Sequence, residues 1–525
     1  MLTTVPSSVS SEISGPDTAR PTHRERQWWR WLVPSLTPWL WLLILLVLLT
    51  PSWRTTMVSA DGDACFHWRV GEYMLHTGRI IRSDVFSHTR FGQPVVSKEW
   101  LAEILFAGAA RLGQRVGLDG LYVVALMAAL VIATTFALLH RQLLREGNDL
   151  LAATLLVMGA AWASANHWLA RPHVFTFLMV MLWHQALCRF ERDRAGVRLA
   201  IALGTLTLFW VNLHGAFLAG FFVLGVYWAG AVVDWWRVAD PAERLVARRK
   251  LLALTVAGAA CAAVSLVNPS GWQLHAHNLE FLRSKFFTDY LNEYRTVDFQ
   301  NPMARGFLAW LAILYGTVAL VRARFSVTAG LLIVTWTWFA LYSARNIALL
   351  AIVTAPLLAP VIGGALARRF PRWRSFSERL GRTNAMSRGW PVVILAAVVA
   401  ALIVPRPTAM PAESWPVRAV EYIQRHPDRF QGPMFNQYGW GGYLMLVLPD
   451  HRVFVDGRAD FYGEELVREF QQTTSLQPHW QEPLEKYRVA WTLMPADHRL
   501  NLALAQRGWT CAFSNEVSVI LLKSP

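Results

Sequence analysis

The sequence predicts a polytopic α-helical membrane protein with about eleven transmembrane helices and a small C-terminal α/β domain. Hydrophobic residues make up 54% of the 525 residues and charged residues only 16%, whereas a soluble domain carries roughly 25% charged residues. Apolar runs of about 20 residues, the length that crosses a bilayer, recur through most of the chain. After residue 411 these runs stop, and short apolar stretches alternate with helical patterns.

Residues 1–35 are predicted to form a disordered, basic cytoplasmic tail. Ser, Thr and Pro are frequent in residues 1–19, and such a composition buries too little apolar surface to fold. Arginines then precede the first span and place this end of the chain in the cytoplasm by the positive-inside rule. These arginines are Arg20, Arg24, Arg26 and Arg30.

The formal net charge of +15 indicates membrane topology rather than a nucleic-acid partner. Basic residues concentrate in loops on one side of the predicted spans, as the positive-inside rule requires. The C-terminal region 408–525, by contrast, holds 11 basic and 13 acidic residues, so it offers no strongly basic face to a polyanion. We therefore expect the lipid bilayer as a partner and no nucleic acid.

The membrane domain is predicted to occupy residues 36–405. Each span is a near-continuous apolar run, as a helix surrounded by lipid must be. The runs cover 36–58, 118–139, 150–167, 171–188, 198–214, 215–236, 251–268, 304–321, 326–343, 345–366 and 390–405. Basic loops on one side alternate with them, at 141–145, 189–198, 237–250, 322–324 and 368–388. This alternation predicts a multi-pass protein of the inner or plasma membrane, with its N-terminus in the cytoplasm and its C-terminus outside.

Two outside segments are predicted to lie along the membrane surface. The first outside loop, residues 59–117, contains one helix over 64–77, which Gly78 would end, and another over 98–112. Both helices have apolar residues at helical spacing, as interfacial helices do. The second segment, 269–303, mixes aromatic and charged residues, which is also typical of a membrane interface.

Residues 412–525 are predicted to be a soluble α/β domain on the outer side, with about four or five strands. Helical patterns cover 415–425, 463–472 and 499–507, and short apolar strands cover 452–456, 489–494 and 517–522. The glycine-rich run 436–443 either brings the backbone close to a ligand or makes turns. Turns are favoured because no phosphate-binding fingerprint is present.

The four cysteines do not predict a metal site, because their positions lack metal-ligand spacing. Cys65 and Cys511 would both face the outside. A disulfide between them is possible on topology, but nothing in the sequence favours it.

Candidate catalytic side chains gather at the start of the first outside loop. Asp61 and Asp63 form a D-x-D pair directly after the first span, and His67 follows them. A second acidic pair, Glu99 and Glu103, stands beside a lysine. Glu99 also lies where an acid stabilises the start of a helix through the helix dipole, so it ranks below the D-x-D pair.

Polar residues at the outer ends of the spans are predicted to supply the other half of the site. Ionisable residues at such positions are costly and usually have a function, although any single one could simply cap a helix. Arg345 runs against the charge bias of the outer side, so it needs a phosphate or a carboxylate as a partner. His214 lies in a turn where Gly215 allows two spans to pack closely. The whole set is Asn166, His167, Arg171, His173, Asn212, His214, Asn268, Arg345 and Asn346.

The chain resembles the GT-C superfamily of membrane glycosyltransferases, which includes protein O-mannosyltransferases and lipid A aminoarabinose transferases. The first set of matching segments is Asp61-Gly62-Asp63, Gly71 to Leu75 followed by Gly78, and Gln93-Pro94 through Lys98-Glu99-Trp100-Leu101. Segments that resemble a bacterial branch of the superfamily are 171–173, 210–215, 268–271 and 455–460. The resemblance covers residues 30–350 most specifically. The chain departs from the family in its D-x-D spacing, where adjacent acids are usual, and in its C-terminal domain.

The resemblance implies a transferase of the bacterial inner membrane. It would move a sugar from a polyprenyl-phosphate carrier to an acceptor glycan, lipid or protein at the outer face. Asp61, or else Asp63, would take the proton from the acceptor hydroxyl, and a divalent cation held by Asp61 and Asp63 could assist the departing phosphate. The residues expected to bind substrate or the lipid phosphate are Arg345, His214, Arg171, His173, Asn212, His67 and Glu99.

Two other classes of function stay open on the sequence alone. A transporter or flippase would need ionisable residues near the middle of the bilayer and an internal repeat, whereas the polar groups here gather at one end of the spans. A non-catalytic membrane assembly protein would use its C-terminal domain to bind a partner. Loss or retention of glycosyl transfer after substitution of Asp61 and Asp63 distinguishes the enzyme from both.

Overall fold

Four stretches of the chain are described by a computed structural model: residues 29–291, 294–321, 325–403 and 410–524. Of the predicted disordered tail 1–35, residues 1–28 lie outside the described residues, whereas Trp29–Leu32 form a short helix instead of disordered chain. Arg322 and Arg324 of one predicted basic loop and the last two residues of the final predicted span also lie outside the described residues.

As far as residue 403, the described part of the chain is mostly α-helical. Several of the long helices begin at an aspartate whose carboxylate accepts a backbone N–H of the first turn, namely Asp119, Asp149 and Asp240. In chain order the helices are α1 (Trp29–Leu32), α2 (Leu36–Leu49), α3 (Pro51–Ser59), α4 (Asp63–Thr77), α5 (Trp100–Arg115), α6 (Gly120–Arg145), α7 (Leu150–Ser164), α8 (His173–Asp193), α9 (Gly196–Leu213), α10 (Leu218–Arg237), α11 (Pro241–Val264), α12 (Trp272–Arg283), α13 (Lys285–Tyr290), α14 (Arg305–Leu320), α15 (Val327–Tyr342), α16 (Ile347–Arg369), α17 (Pro371–Met386) and α18 (Trp390–Ile403).

The predicted multi-pass membrane architecture agrees with these helices, but the predicted count of eleven spans is not confirmed. Among the described residues, seven helices are long and apolar enough to cross a membrane, or eight if the bent pair α17 and α18 forms one span. Helix α15 is apolar but has only 16 residues, which is about 24 Å against a hydrocarbon core of about 30 Å. Helix α11 is basic in its first half, so its apolar part alone is too short.

The segment 59–117, predicted to be the first outside loop and called by that name below, contains both of its predicted helices, as α4 and α5. Helix α4 ends at Gly78, whose φ of 66° lies in the left-handed region that glycine adopts without strain. The two helices approach closely because Gly71 has no side chain, and a Cβ there would overlap the backbone carbonyl of Glu103. This packing sets His67 of α4 opposite Glu103 of α5.

Residues 410–524 form a small α/β unit around a four-stranded mixed sheet. Its helices are α19 (Val417–Arg425), α20 (Gly441–Val447), α21 (Ala459–Thr474), α22 (Glu482–Lys486) and α23 (Arg499–Ala505), and its strands are β1 (Met434–Asn436), β2 (Trp491–Pro495), β3 (Thr510–Ser514) and β4 (Ser518–Leu522). The strand order is β1-β2-β4-β3, with β1 parallel to β2 and β4 antiparallel to both of its neighbours. Cys65 is buried and Cys511 is exposed, and both are free thiols.

The strand predicted at 452–456 is wrong. Its hydrogen bonds go to the first outside loop and to a side chain instead of to a sheet. Val453 N donates to Phe86 O at 3.0 Å, and Phe454 N donates to the Asn436 side-chain oxygen at 2.8 Å. A buried apolar segment needs partners for its backbone, and here the first outside loop and Asn436 supply them.

The C-terminal unit packs directly on the first outside loop through glycines. A Cβ at Gly62 would lie 2.7 Å from the carbonyl oxygen of Gly439, and a Cβ at Gly442 would overlap the carbonyl of Gly62. Helix α20 therefore lies against the start of α4. The glycine-rich run 436–443 thus lets two backbones meet at the position of the D-x-D pair.

Candidate active site

Asp61 and Asp63, together called the outer acid pair below, share one arginine. Arg171 Nε donates to Asp61 Oδ1 at 3.1 Å, and its Nη2 contacts Asp61 Oδ2 and lies 3.2 Å from Asp63 Oδ2. The backbone N–H of Asp63 donates to Asp61 Oδ1 at 3.0 Å. The three side chains are only 17–27% exposed, so their attraction is screened less than at an open surface.

Three segments hold the outer acid pair in place. The pair follows α3 and begins α4, where an acid at the first turn is favoured by the helix dipole. Arg171 lies in the turn before α8, and that turn is tied to α3 by a hydrogen bond from Ala170 N to Met57 O at 2.8 Å. Gly457 of the C-terminal unit lies against Asp63, because a Cβ at this glycine would overlap the Asp63 carboxylate.

A second group, called the inner acid cluster below, consists of His67, Glu99, Glu103 and His214. His67 Nδ1 lies 3.3 Å from Glu103 Oε1 and 3.9 Å from Glu99 Oε2. Glu99 Oε1 lies 3.3 Å from His214 Nε2. The four side chains are at most 13% exposed, so two carboxylates are buried beside two imidazoles.

Burial determines the protonation of the inner acid cluster. It raises the pKa of Glu103 to about 8 and lowers the pKa of His67 to about 4, because the charged form of each group loses its hydration. Burial likewise raises the pKa of Glu99. At neutral pH the His67 ring is therefore uncharged and Glu103 is mostly protonated, so the two groups share a hydrogen bond without forming an ion pair.

The inner acid cluster also contains the donor set of a possible divalent-cation site. The ligand atoms of His67, Glu99 and Glu103 lie within 4.8 Å of one another. One imidazole nitrogen with carboxylate oxygens is a set that suits Zn²⁺ or Mn²⁺. The metal ligands expected from the sequence, Asp61 and Asp63, instead have the guanidinium of Arg171 between them, which disfavours a second cation there.

Asp460 of the C-terminal unit joins two other segments at the same site. Its Oδ2 accepts from Lys98 Nζ of the first outside loop and from His277 Nε2 of α12 at 2.9 Å. Burial alone would raise the pKa of Asp460 and lower that of Lys98. The attraction of the pair outweighs burial, so the pKa of Asp460 is held well below its usual range and that of Lys98 above it.

Arg458, two residues earlier, makes a second connection between the C-terminal unit and the first outside loop. Its Nη1 lies 2.8 Å from Asp84 Oδ1 and its Nη2 lies 2.6 Å from Asp456 Oδ2, and both acids are fully buried. Breaking a buried ion pair by removing one partner typically costs about 3–5 kcal/mol. This network therefore fixes the C-terminal unit over the loop that carries the acids.

A cavity of about 970 Å³ connects these groups. Its polar lining includes the outer acid pair, the inner acid cluster and the Lys98–Asp460 pair. Aromatic side chains of α10 and α15 provide an apolar wall, namely Phe222, Trp336, Trp338, Phe339 and Tyr342. Arg345 also lines the cavity, with its guanidinium 4.5 Å from the centroid of the Tyr294 ring.

All the residues predicted to be catalytic or to bind substrate, except Asn212, line this cavity, and of the wider set at the span ends Asn268 also lies outside it. The Asn212 oxygen accepts from Trp100 Nε1 at 2.7 Å, and its nitrogen donates to Leu208 O at 2.8 Å and to Val267 O at 3.0 Å. These bonds fasten the start of α5 to α9, so the substrate-binding role expected for Asn212 is replaced by a structural one. His173 lines the cavity, but its Nε2 is bonded to the backbone oxygen of His167 at 2.8 Å.

Sequence reasoning did not assign roles to Glu103, Lys98, Asp460 and His277. Glu103 and Lys98 are visible in the sequence as charged neighbours of Glu99, and Asp460 belongs to the matched segment 455–460. The sequence could not show that Lys98 contacts Asp460, because 362 positions separate the two residues. His277 stands in no motif and could be found only from the fold.

No family model and no curated protein sequence matches the chain. Solved structures do match it. Archaeal oligosaccharyltransferase AglB from Archaeoglobus fulgidus, in complex with an inhibitory peptide and a dolichol-phosphate, is 13% identical with a TM-score of 0.57, over 95% of this chain and 74% of that chain. ArnT from Cupriavidus metallidurans, bound to undecaprenyl phosphate, is 16% identical with a TM-score of 0.51, over 92% of this chain and 98% of that chain.

These neighbours are GT-C glycosyltransferases. At 13–16% identity the similarity defines the fold, and the chain has the fold of GT-C membrane glycosyltransferases. The resemblance predicted from the first outside loop is therefore confirmed at the level of the fold.

Proposed function

We propose that this protein is a GT-C-type glycosyltransferase that moves a sugar from a polyprenyl-phosphate carrier to an acceptor at the outer face of the membrane. One observation carries the proposal. A single cavity of about 970 Å³ joins the outer acid pair, cationic and histidine side chains, and an apolar aromatic wall. A lipid-linked sugar needs these three surfaces together, because it combines a hydrophobic isoprenoid chain, a phosphate and a polar sugar ring.

The donor would lie with its isoprenoid chain against the aromatic wall and its phosphate near Arg345 and His214. Arginine suits a phosphate because its planar fork binds two oxygens at once. The AglB and ArnT structures were solved with dolichol-phosphate and undecaprenyl phosphate respectively. The shared fold, together with an apolar wall beside a cationic group, supports the proposal that this chain uses a donor of the same chemical class.

The outer acid pair would perform the transfer. Displacement at the anomeric carbon passes through an oxocarbenium-like state that nearby carboxylates stabilise. The bond from carbon to the phosphate oxygen breaks, the bond to the acceptor oxygen forms, and Asp61 takes the acceptor's proton while the lipid phosphate departs. Asp63 is the second candidate base, and Arg171 would fix the positions of both carboxylates.

A divalent cation, if one is used, would be held by His67, Glu99 and Glu103. Their donor atoms are close enough to share one ion, and buried carboxylates with raised pKa values are unfavourable unless they are protonated or bound to a cation. A bound cation would supply positive charge that stabilises the departing phosphate. The outer acid pair remains the alternative cation site.

The C-terminal unit would lie on the same outer side as the acids and help to shape the acceptor end of the cavity. Asp460 holds Lys98 and His277 together there. With the N-terminus in the cytoplasm, we expect the loop 59–117 and the domain 412–525 to lie outside, and the membrane domain 36–405 to lie between them and the cytoplasmic tail.

Transfer and carrier binding can be measured separately on the full chain. Native mass spectrometry would follow retention of undecaprenyl phosphate, and membranes with radiolabelled polyprenyl-linked sugars would report transfer. We expect the double variant Asp61→Asn/Asp63→Asn to keep the carrier and lose transfer by at least about 100-fold. The control Glu413→Gln/Glu516→Gln, which neutralises two exposed acids, should leave both unchanged.

Two results would overturn the proposal. One is undiminished transfer by the double aspartate variant. The other is movement of the labelled lipid between leaflets without a new glycosidic bond, which would identify the flippase alternative.

A further inference from the structure

Helix α17 crosses the end of the helix bundle that lies opposite the candidate active site along α16. One face of α17 is bonded to the starts of two spans. Trp373 Nε1 donates to Asp149 Oδ1 at 3.3 Å, and Ser377 Oγ accepts from Leu151 N at 3.5 Å, both at the start of α7. Asn384 Oδ1 accepts from Leu36 N at 2.7 Å, at the start of α2.

The direction of α17 differs from that of the spans around it. Its axis is bent by 83° from that of the apolar helix α18. A helix that turns away from α18 by this angle, and is bonded to the starts of two candidate spans, would lie along the plane of the membrane at headgroup depth instead of forming one span with α18. Its exposed flanks would then meet lipid headgroups.

One flank of α17 is both basic and apolar. Arg372, Phe376 and Arg379 are spaced four and three residues apart, so they lie on one side of the helix, and all three are exposed. Phe376 is 52% exposed and Met386, seven residues beyond Arg379, is 41% exposed. Neither arginine forms an ion pair with any residue in the part of the chain that the structure describes.

The opposite flank of the same helix is different. There Arg374 Nε lies 2.8 Å from Glu378 Oε1, so that arginine is already balanced within the helix. The flank that exposes Phe376 and Met386 thus carries Arg372 and Arg379 without an acidic partner among the described residues, and Arg382, between Arg379 and Met386, is exposed beside it.

We propose that the Arg372–Phe376–Arg379 flank is a binding surface for anionic phospholipid headgroups. The guanidinium groups would bind lipid phosphates, while Phe376 and Met386 would enter the boundary between headgroups and acyl chains. Charge complementarity and the position of α17 at the level of the headgroups favour a lipid over an acidic protein. A helix bonded across the ends of spans would already be surrounded by headgroups. Each basic side chain near an anionic surface strengthens such binding severalfold.

The full chain in neutral detergent tests this proposal. The midpoint of thermal unfolding would be measured while phosphatidylglycerol or phosphatidylcholine is added. We expect phosphatidylglycerol alone to raise the midpoint of the wild type, and Arg372→Gln/Arg379→Gln to need at least about tenfold more of it for the same rise. Arg374→Gln/Arg418→Gln, with the same loss of charge at two exposed arginines away from this flank, should respond as the wild type does.

The variant Arg372→Lys/Arg379→Lys should keep most of the response, since its charge is unchanged. Retention of copurified phosphatidylglycerol, measured by mass spectrometry, provides a second readout that does not depend on the unfolding transition. An equal response of both glutamine variants to phosphatidylglycerol would overturn the proposal. So would an equal response of the wild type to the two lipids.

Discussion

The outer acid pair and the inner acid cluster line the same cavity, but their charges are balanced in different ways. Asp61 and Asp63 are partly exposed and share Arg171. Glu99 and Glu103 are buried, and the closest charged or titratable side chains to their oxygens are histidines. One pair of acids therefore has a permanent positive partner, whereas the other pair has histidine partners, of which His67 is uncharged at neutral pH because burial lowers its pKa to about 4.

This difference indicates two separate tasks. Acids with a fixed guanidinium beside them stay in defined positions and present negative charge to a reacting centre. Buried acids whose pKa is raised can exchange a proton or accept a cation near neutral pH. The outer acid pair is thus suited to the transfer step, and the inner acid cluster to adjusting the charge of the cavity around it.

Removing Arg171 should produce the largest change. In Arg171→Gln two neighbouring carboxylates lose their common partner, which we expect to cost about 2 kcal/mol of stability and to lower transfer about 100-fold through misplacement. Transfer assays and chemical unfolding would measure both. Arg171→Lys keeps the charge without the fork and should recover stability better than activity. Full transfer by Arg171→Gln would show that the outer acid pair does not need its arginine.

Removing Glu99 should affect cation binding without disturbing the outer acid pair. We expect Mn²⁺ or Zn²⁺ to bind the wild type and raise its unfolding midpoint, and Glu99→Gln to bind at least about tenfold more weakly because one carboxylate ligand is lost. Metal content and the midpoint would be measured together. Asp61→Asn is the control and should bind the cation normally. Weaker cation binding by Asp61→Asn, together with normal binding by Glu99→Gln, would place the cation site at the outer acid pair.

Glu103→Gln should change the dependence of stability on pH. The pKa of Glu103 is raised to about 8 in the folded chain, so the folded state holds a proton that the unfolded state has already released. Stability therefore falls as pH rises towards 8, by up to about 1.4 kcal/mol per pH unit. The lowered pKa of His67, about 4, gives the opposite slope, but only below about pH 6.5.

The window that isolates Glu103 is therefore pH 6.5–8, measured with a chelator so that no cation contributes. In that window the wild type should lose stability with rising pH and Glu103→Gln should be nearly flat. Glu464→Gln, at an exposed acid, should keep the slope of the wild type. A slope that Glu103→Gln leaves unchanged would mean that another group binds the proton.

Asp460→Asn should have the smallest effect of the four. It leaves both acid groups intact but removes the charge that holds Lys98 and His277 together. We expect kcat/KM to fall about fivefold, in line with the loss of about 1 kcal/mol from a partly exposed pair, mainly through KM. Asp460→Glu should restore most of it. A fall as large as that of Arg171→Gln would place Asp460 in the chemistry instead of in positioning.

Much of the fold could be predicted from local pattern. The apolar runs locate the predicted spans on helices, although the run 36–58 contains two, α2 and α3. The helices of the first outside loop begin and end near the residues that their spacing indicates. The number of membrane crossings could not be predicted in the same way, because short or half-basic helices such as α15 and α11 have apolar residues without the length to cross a bilayer. The segment 452–456 was mistaken for a strand because burial, and not pairing, makes it apolar.

The site could be predicted only in part. Asp61, Asp63 and Arg171 stand out because charged residues at the ends of apolar spans are rare. Asn212 stands out as a polar residue at such an end, yet its amide is used to fasten two helices. Lys98 and Asp460 could not be paired from sequence, since the contact exists only after the C-terminal unit has packed on the first outside loop.

The most direct test compares the two acid groups in one assay. Single-turnover transfer from a radiolabelled polyprenyl-linked sugar would be measured at pH 7 for the wild type, Asp61→Asn, Asp63→Asn and Glu103→Gln. We predict that at least one aspartate variant loses about 100-fold or more in rate, while Glu103→Gln loses less than about tenfold and both kinds of variant retain undecaprenyl phosphate. Near-normal transfer by both aspartate variants, with loss confined to Glu103→Gln, would contradict the account and place the chemistry in the inner acid cluster.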